Sequence, residues 1–174
     1  MVKIENYIVK KDLGIVLANR SFKELTTMKV GGKIKCLYYP NSIENLLDVI
    51  LYLNQNGKRF FVLGNGSNII ASDRTFKDLV ICGKHLDFEV IYQSDSFIVS
   101  AFSDLRKINS KLLQKNISTF LNLTGIPATI GGAIVMNAGA FGSNISDHLI
   151  WVECIKDGKV IKIYKKCTTS KPLV

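Results

Sequence analysis

A short loop, Gly64-Asn65-Gly66-Ser67-Asn68, combines the residue types that bind phosphate-like anions in proteins. Glycine lets backbone N–H groups turn inward and approach an anion closely, where a Cβ atom would obstruct them. Ser67 and Asn68 add side-chain donors of a size that reaches phosphate oxygens. The loop is not a P-loop, since no Gly-Lys-Ser/Thr follows, and it lacks the third glycine and the acidic ribose partner of a Rossmann fingerprint. The alternative interpretation is a tight turn between two strands.

A second stretch is rich in glycine and alanine and almost uncharged. It reads Gly-Ile-Pro-Ala-Thr-Ile-Gly-Gly-Ala over residues 125–133 and Asn-Ala-Gly-Ala-Phe-Gly over residues 137–142. With so few large side chains, the backbone can lie flat against a large planar group. Thr129 and Asn137 can hydrogen-bond the edge of a heterocycle, whereas the alternative is close helix packing through Gly131 and Gly132. Together, the two segments suit a pyrophosphate and a flat ring system.

The elements that must position the first loop form a βαβ pattern. Lysine alternates with apolar residues over positions 33–39, which predicts a strand with one solvated face at its start. Asn41 or Ser42 then offers a helix N-cap, and Gly57 ends the helix. The continuous apolar run over residues 59–63 predicts a buried strand that leads directly into the glycine loop.

The rest of the chain predicts shorter elements. These are strands over residues 79–82, 88–92 and 97–100, followed by a helix that begins at Ser103 or Asp104. Asp157-Gly158 lies between the apolar segments 149–155 and 159–164, which is a strong hairpin signal. Residues 1–20 predict a short helix or arm. The sequence therefore indicates an α+β protein with a small βαβ lobe and a more antiparallel second lobe.

Composition excludes several classes of protein. With 174 residues, 47% of them hydrophobic and 21% charged, the chain has the composition of a globular protein. The net charge of +9 comes from scattered lysines rather than a clustered basic stripe, so no nucleic-acid partner is predicted, although the charge suits an anionic cofactor or substrate. No apolar stretch approaches the roughly 20 residues that span a bilayer, and the first residues lack the apolar region of a signal peptide, so none is expected. We therefore expect no membrane association and a cytoplasmic location.

Isolated reactive side chains predict no further site. Four cysteines lie far apart without a CxxC pair: Cys36, Cys82, Cys154 and Cys167. Because each lies in or beside an apolar run, we expect small buried hydrophobes rather than disulfides or zinc ligands. His85 and His148 have no carboxylate or cysteine at ligand spacing and are predicted to be structural. The aromatic pair Phe60-Phe61 is predicted to lie in the core.

Four motifs occur in the order and spacing of one known family. They are Thr-Thr-Met-Lys-Val-Gly-Gly at residues 26–32, Val-Leu-Gly-Asn-Gly-Ser-Asn-Ile-Ile at residues 62–70, and the glycine-rich segments 125–133 and 137–142. On these motifs, from about residue 25 to residue 164, the chain resembles the UDP-N-acetylenolpyruvoylglucosamine reductases. These enzymes, also called UDP-N-acetylmuramate dehydrogenases, make a peptidoglycan precursor.

The resemblance implies a fold and a cofactor. The fold would be the two-lobed, α+β FAD-binding fold of the vanillyl-alcohol-oxidase/PCMH type, with an arm or helix at residues 1–20, a βαβ lobe at 21–82 and a larger, mostly antiparallel lobe at 83–174. The FAD pyrophosphate would bind Gly64, Asn65, Gly66, Ser67 and Asn68. The path from adenine to isoalloxazine would be lined by Gly125, Ile126, Pro127, Thr129, Gly131, Gly132, Asn137, Gly139 and Ala140. NADPH would reduce the flavin, and the flavin would pass a hydride to the enolpyruvyl group of a UDP-sugar substrate.

The chain also departs from the family pattern. Ala128, Phe141 and Asn144 replace a glycine, a tyrosine and an acidic residue that are usual there. The family's Tyr-Arg-x-Ser segment has no counterpart in residues 165–174, and Arg106 is the last arginine in the sequence. Because the family's arginine, serine proton donor and glutamate are unmatched, no catalytic residue is assigned, and the second lobe is expected to be incomplete, with the substrate-binding domain absent.

Two expectations follow for the chain as a whole. In the first, it is a truncated product that is inactive alone. In the second, a separate chain supplies the missing domain. The alternative function is a non-catalytic flavin- or nucleotide-binding module or subunit.

Overall fold

The computed structural model describes residues 3–86, 89–156 and 158–165. The chain divides into two compact units, Met1–Asp87 and Phe88–Val174. Three residues that enter the sequence predictions, Phe88, Asp157 and Cys167, lie outside the described residues.

The first unit contains one mixed sheet of five strands with helices between them. In chain order its elements are α1 (Ile4–Lys10), β1 (Gly14–Leu17), β2 (Arg20–Ser21), α2 (Phe22–Leu25), β3 (Lys33–Pro40), α3 (Ile43–Gln55), β4 (Phe60–Leu63) and β5 (Phe76–Cys82). The strand order is β1-β3-β5-β4, with β2 also paired to β3. Strands β3, β5 and β4 are parallel, whereas β1 and β2 run antiparallel to β3.

The predicted βαβ unit is present as β3–α3–β4, but its two strands are not neighbours. Strand β5 lies between them and pairs with both. The sequence predicts parallel strands because a helix connects them. It does not reveal that a later strand inserts between them.

Helix α3 forms where the sequence predicted it because both of its ends carry local signals. The Ser42 hydroxyl oxygen accepts a hydrogen bond from the Asn45 N–H at 3.1 Å. Gly57 follows the last turn with φ +59°, a conformation that favours glycine. The buried side chains recur at helical spacing: Leu46, Val49, Ile50 and Leu53.

The N-terminal region contains the expected helix, α1, which is held to α3 by aromatic and polar contacts. The rings of Tyr7 and Tyr52 stack with centroids 3.8 Å apart, and the Tyr7 hydroxyl donates to Asp48 at 2.8 Å. The Lys11 ammonium donates to both the Tyr7 hydroxyl and Asp48. Residues 1–20 also contain strand β1, which the sequence analysis missed because four residues are too short to show a clear alternation.

Strand β4 is more exposed than the prediction of a buried strand allowed. Leu63 is buried, but Phe61 and Val62 are 36% and 46% exposed. The Phe60-Phe61 pair, predicted as core, is therefore half-buried at Phe60 and exposed at Phe61. Among the described strands β4 lies at an edge of the sheet, a position that an apolar run cannot reveal.

The second unit is built from short elements. In chain order they are β6 (Ile91–Tyr92), β7 (Phe97–Ile98), α4 (Leu105–Leu113), α5 (Ile130–Val135), β8 (Gly139–Ala140), β9 (Ser143–Asn144), β10 (Trp151–Lys156) and β11 (Lys159–Tyr164). Two 3₁₀ turns lie at Leu121–Leu123 and Ile145–His148. The described strands pair antiparallel as β6 with β7, β8 with β9, and β10 with β11.

The helix cap and the hairpin predicted for this unit are both present in the described residues. Asp104 caps α4 by accepting hydrogen bonds from the Arg106 and Lys107 N–H groups at 3.0 and 3.2 Å. The hairpin β10–β11 forms with Trp151 opposite Tyr164. Strands β6 and β7 are shorter than predicted. A core of buried apolar residues joins the helices and turns: Leu105, Ile108, Leu112, Phe120, Leu123, Ile130, Ala133 and Ile145.

The α+β fold class is confirmed, with parallel and antiparallel pairing in the first unit and antiparallel pairing in the described part of the second. Cys36 and Cys82 are buried, Cys154 is half-buried, and all three are free thiols. Within the described ranges, no helix is long and apolar enough to cross a bilayer.

Replacing Asp104 with alanine removes the acceptor for the first N–H groups of α4. We expect the free energy of unfolding to fall by about 1 kcal/mol, whereas Asp104→Asn stays close to wild type because asparagine also accepts at an N-cap. Urea unfolding followed by circular dichroism measures the difference. Ser110→Ala, within the same helix, is the control, since this hydroxyl only donates back to the Arg106 carbonyl. Equal stability of Asp104→Ala and wild type would refute the capping role.

Burial raises the pKa of the Cys36 thiol from 9.0 to about 12. The unfolded chain loses this proton near pH 9 while the folded chain keeps it to about pH 12, so this group lowers stability as pH rises through that window. Cys36→Ala removes this loss, and its deficit in stability relative to wild type should shrink from pH 9 upward. Urea midpoints across the alkaline range measure the gap between the two proteins. A gap that stays constant would contradict the assignment.

Candidate functional site

The glycine loop of residues 64–68 begins directly after β4, at the carboxyl end of that strand. At its centre Gly66 is buried and has φ +66°. A Cβ atom at this position would lie 2.6 Å from the Leu25 carbonyl oxygen and 2.9 Å from the Thr26 Cα. The Gly66 carbonyl oxygen also accepts a hydrogen bond from the Thr27 N–H at 3.0 Å. The loop therefore needs glycine here, both for its conformation and for the close approach of a second backbone.

The donors of Gly66, Ser67 and Asn68 are left available. Within the described residues, the N–H groups of Gly66, Ser67 and Asn68 donate no backbone hydrogen bond, and the side chains of Ser67 and Asn68 make none. Ser67 is half-buried and Asn68 is exposed. Unpaired N–H groups beside a glycine with positive φ form a concave site for an anion. This arrangement favours the anion-binding interpretation over a plain turn.

A second loop, residues 26–32, supports the first. Its Thr27 N–H bonds to Gly66, and its Gly32 N–H donates to the Ser72 carbonyl oxygen at 2.8 Å. The Thr26 side chain is buried and donates to the Phe22 carbonyl oxygen at 2.8 Å, which ties the loop back to α2. In the sequence this loop is recognisable only as a motif. Its Gly31-Gly32 pair was the available signal for a tightly packed backbone.

In the second unit, the glycine-rich stretch packs against other residues of the same unit. The segment before α5 runs antiparallel to residues 101–105: the Leu105 N–H donates to the Ala128 carbonyl, and the Ile130 N–H donates to the Ser103 carbonyl, both at 2.9 Å. Thr129 is only 4% exposed, and its hydroxyl oxygen caps α5 by accepting from the Gly132 N–H. The oxygen of Thr129 is thus occupied within the helix cap.

Gly131 has a packing role in the structure. Its N–H donates to the Ala101 carbonyl oxygen at 2.7 Å, and a Cβ atom would lie 3.1 Å from the Ala101 Cβ. Close packing, the alternative weighed from the sequence, is therefore present at this position. Gly125 differs, because a Cβ there would meet nothing within 4 Å. Ile126 is partly buried against the core of the unit, whereas Pro127 is exposed.

Asn137 carries an unsatisfied buried group. Its backbone has φ +44°, and its Oδ1 is buried with no hydrogen-bond partner in the described part of the chain. Asn137 also lines a cavity of about 10 Å³ together with Ile134, Ile145, Ser146 and Leu149. A cavity of that size holds one water molecule at most. An unpaired buried amide oxygen costs about 1–3 kcal/mol, a cost that a hydrogen-bond donor from water or from a ligand would remove.

Gly139 and Ala140 form β8 and lead into a tight hairpin with β9. The two turn residues, Phe141 and Gly142, have φ +51° and +76°, which is the conformation of a type I′ turn. Phe141 is 88% exposed at the tip of this hairpin. Asn144 then opens the following 3₁₀ turn in a capping box with Asp147. The departures at Phe141 and Asn144 are thus accommodated locally.

The two histidines have structural neighbours. His85 lies against the ring of Tyr39, with centroids 5.7 Å apart. His148 lies edge-on to Phe120 and shares a hydrogen bond with the Ser143 hydroxyl at 3.0 Å. Over residues 3–86, 89–156 and 158–165, no group of three or more histidine, cysteine, aspartate or glutamate side chains could hold a metal ion.

The structure thus brings the sequence-predicted residues together within each unit. In the first, residues 64–68 form one loop held by a hydrogen bond to residues 26–32. In the second, Thr129, Gly131 and Gly132 belong to α5 and its cap, and Gly139 and Ala140 follow Asn137 into the β8–β9 hairpin. Contact of these residues with a cofactor stays a prediction.

Comparison with known proteins supplies the family. Residues 34–164 match the family model described as FAD binding domain. The UDP-N-acetylenolpyruvoylglucosamine reductase of Caldanaerobacter subterraneus is 36% identical over 86% of this chain and 49% of its own length. That of Carboxydothermus hydrogenoformans is 36% identical over 86% of this chain and 50% of its own length. The chain therefore spans about half the length of the curated relatives it matches.

Solved structures give the same picture. The crystal structure of UDP-N-acetylenolpyruvylglucosamine reductase from Thermus caldophilus matches with a TM-score of 0.68 at 27% identity, over 87% of this chain and 52% of that one. An alkyldihydroxyacetonephosphate synthase matches with a TM-score of 0.69 at 12% identity, over 97% of this chain and 36% of that one, which shows a shared fold alone. The chain belongs to the FAD-binding domain family, and its resemblance to the FAD-binding portion of the UDP-N-acetylenolpyruvoylglucosamine reductases is confirmed.

Proposed function

We propose that this chain is the FAD-binding portion of an NADPH-dependent enzyme that reduces UDP-N-acetylenolpyruvoylglucosamine to UDP-N-acetylmuramate. The observation that carries the proposal is the loop at residues 64–68, where Gly66 is packed against a second backbone and the following N–H groups are unpaired. It occurs in a chain of the FAD-binding domain family whose relatives bear the name of this reductase.

The first unit would hold the pyrophosphate of FAD. The N–H groups of Gly66, Ser67 and Asn68, with the Ser67 hydroxyl, supply donors to its oxygens. Because these donors belong to a loop fixed by the Thr27–Gly66 hydrogen bond, little conformational entropy is lost when the anion binds. Gly64 and Asn65 complete the loop and join it to β4.

The second unit would contact the rest of the cofactor through residues 125–127, Thr129, Gly131, Gly132, Asn137, Gly139 and Ala140. Among these the Asn137 Oδ1 has the strongest physical reason for a ligand contact, because it is buried and unpaired. Gly131 packs on Ala101 and so stabilises the glycine-rich stretch.

Bound FAD supplies hydride-transfer chemistry, while the protein binds and orients it. The family's arginine that acts on the sugar nucleotide has no counterpart in residues 107–174, since Arg106 is the last arginine. We therefore propose that residues 1–174 bind FAD and accept reducing equivalents from NADPH but do not turn over the UDP-sugar by themselves.

The visible absorption spectrum of the purified chain tests this function. We expect a yellow protein, or one that becomes yellow with added FAD, whose colour NADPH bleaches under anaerobic conditions. The enolpyruvyl sugar nucleotide should remain unchanged in the same mixture. A protein that takes up no FAD would overturn the cofactor assignment. Bound flavin that NADPH leaves oxidised would instead favour a non-catalytic flavin module, and turnover of the sugar nucleotide would contradict the absence of the catalytic groups.

Gly66→Ala tests the loop itself. The added Cβ would meet the backbone of Leu25 and Thr26, so the loop must shift, and we expect FAD affinity to fall at least about ten-fold. Gly57→Ala is the matched control: Gly57 has a similar φ of +59°, but a Cβ there meets nothing within 4 Å. Fluorescence titration with FAD measures affinity, and thermal unfolding reports stability. If Gly66→Ala binds FAD as tightly as Gly57→Ala does, the loop is not the pyrophosphate site.

A further inference from the structure

We propose that Lys29 supplies the positive charge that complements the pyrophosphate bound at residues 64–68. The inference rests on the proposed function, because it assigns an additional binding residue to the same site. Lys29 belongs to the second loop, residues 26–32, and not to the glycine loop itself.

The position of Lys29 in the second loop supports this role. The Thr27 N–H donates to the Gly66 carbonyl oxygen at 3.0 Å, and Lys29 follows two residues later. The backbone of Leu25 and Thr26 approaches Gly66 so closely that no Cβ fits between them. A lysine side chain extends about 6 Å from its backbone, since it carries four methylene groups and an ammonium. Lys29 therefore lies within reach of an anion held by the N–H groups that follow Gly66.

The backbone conformation of Lys29 also supports this role. Lys29 has φ +55°, in the left-handed region that non-glycine residues rarely occupy. A residue held there costs about 1 kcal/mol or more, and such residues cluster at binding sites. The Lys29 N–H donates to the Thr26 carbonyl at 3.3 Å, which closes a tight turn and fixes the position from which the side chain projects.

The unpaired charge of Lys29 supports the same role. Lys29 is exposed and makes no ion pair or side-chain hydrogen bond within the described residues. Five basic residues and one acid lie between positions 20 and 35, and that acid, Glu24, already pairs with Arg20 at 2.6 Å. Within the described residues two lysines do form ion pairs, Lys11 with Asp48 and Lys111 with Glu89, and neither acid is shared with Lys29. The cationic charge of Lys29 is therefore uncompensated beside a loop that offers neutral donors to an anion.

A lysine and backbone amides bring different properties to such a site. Amides fix the geometry of phosphate oxygens but carry no net charge, whereas an ammonium adds a point charge that acts over several ångströms. That attraction is screened by salt, while the amide contacts are screened much less. The role of Lys29 should therefore be visible in the salt dependence of FAD binding.

The test compares wild type, Lys29→Met, Lys29→Arg and Lys58→Met in fluorescence titrations with FAD. Methionine keeps an unbranched side chain and the cost of the left-handed backbone while removing the charge. Lys58 is the control because it precedes β4, at the opposite end of that strand from the glycine loop. Each titration is run at about 0.01 M and about 1 M salt, where charges are screened beyond roughly 30 Å and 3 Å.

We expect Lys29→Met to weaken FAD binding about three- to ten-fold at low salt and to match wild type at high salt. Lys29→Arg and Lys58→Met should remain close to wild type at both concentrations. Wild-type affinity of Lys29→Met at low salt, or a loss that persists equally at high salt, would overturn the charge role while leaving the proposed function intact. Failure of the wild-type chain to bind FAD would refute the proposed function and, with it, this inference.

Discussion

The close approach of two backbones at Gly66 is the constraint on which the candidate site depends. No Cβ fits between this residue and the backbone of Leu25 and Thr26, and the Thr27 N–H bonds to its carbonyl. With its carbonyl engaged on one side, the loop leaves the following N–H groups unpaired. The same contact positions Lys29 next to the loop. Gly66 thus affects both the shape of the loop and the position of the charged residue Lys29 beside it.

The glycine-rich stretch of the second unit shows that one composition can serve two purposes. Gly131 packs against Ala101, and Thr129 caps α5, so these residues stabilise the unit through contacts within it. Asn137 is different because its buried amide oxygen has no partner within the described residues. A buried unpaired polar atom is unfavourable unless something satisfies it. The stretch therefore combines packed residues that stabilise the unit with one buried acceptor that lacks a donor.

Family membership and function rest on different observations. Residues 34–164 match the FAD binding domain family, and the structure of a related reductase matches most of this chain. Those relatives are about twice as long as the part of them that this chain covers. FAD binding therefore follows from the portion that is shared, whereas reduction of the sugar nucleotide belongs to the proposed function.

The sequence alone determined the features that depend on neighbouring residues. Ser42 and Asp104 cap helices because their side chains reach N–H groups two or three positions away, and the glycine loop is recognisable from adjacent residues. The motif order also identified the family. Tertiary structure decided the rest: that β5 inserts between β3 and β4, that Phe61 lies on an exposed edge strand, and that residues 26–32 brace Gly66. These features join segments that are far apart in the chain. Local sequence patterns do not indicate which distant segment a strand or loop will contact.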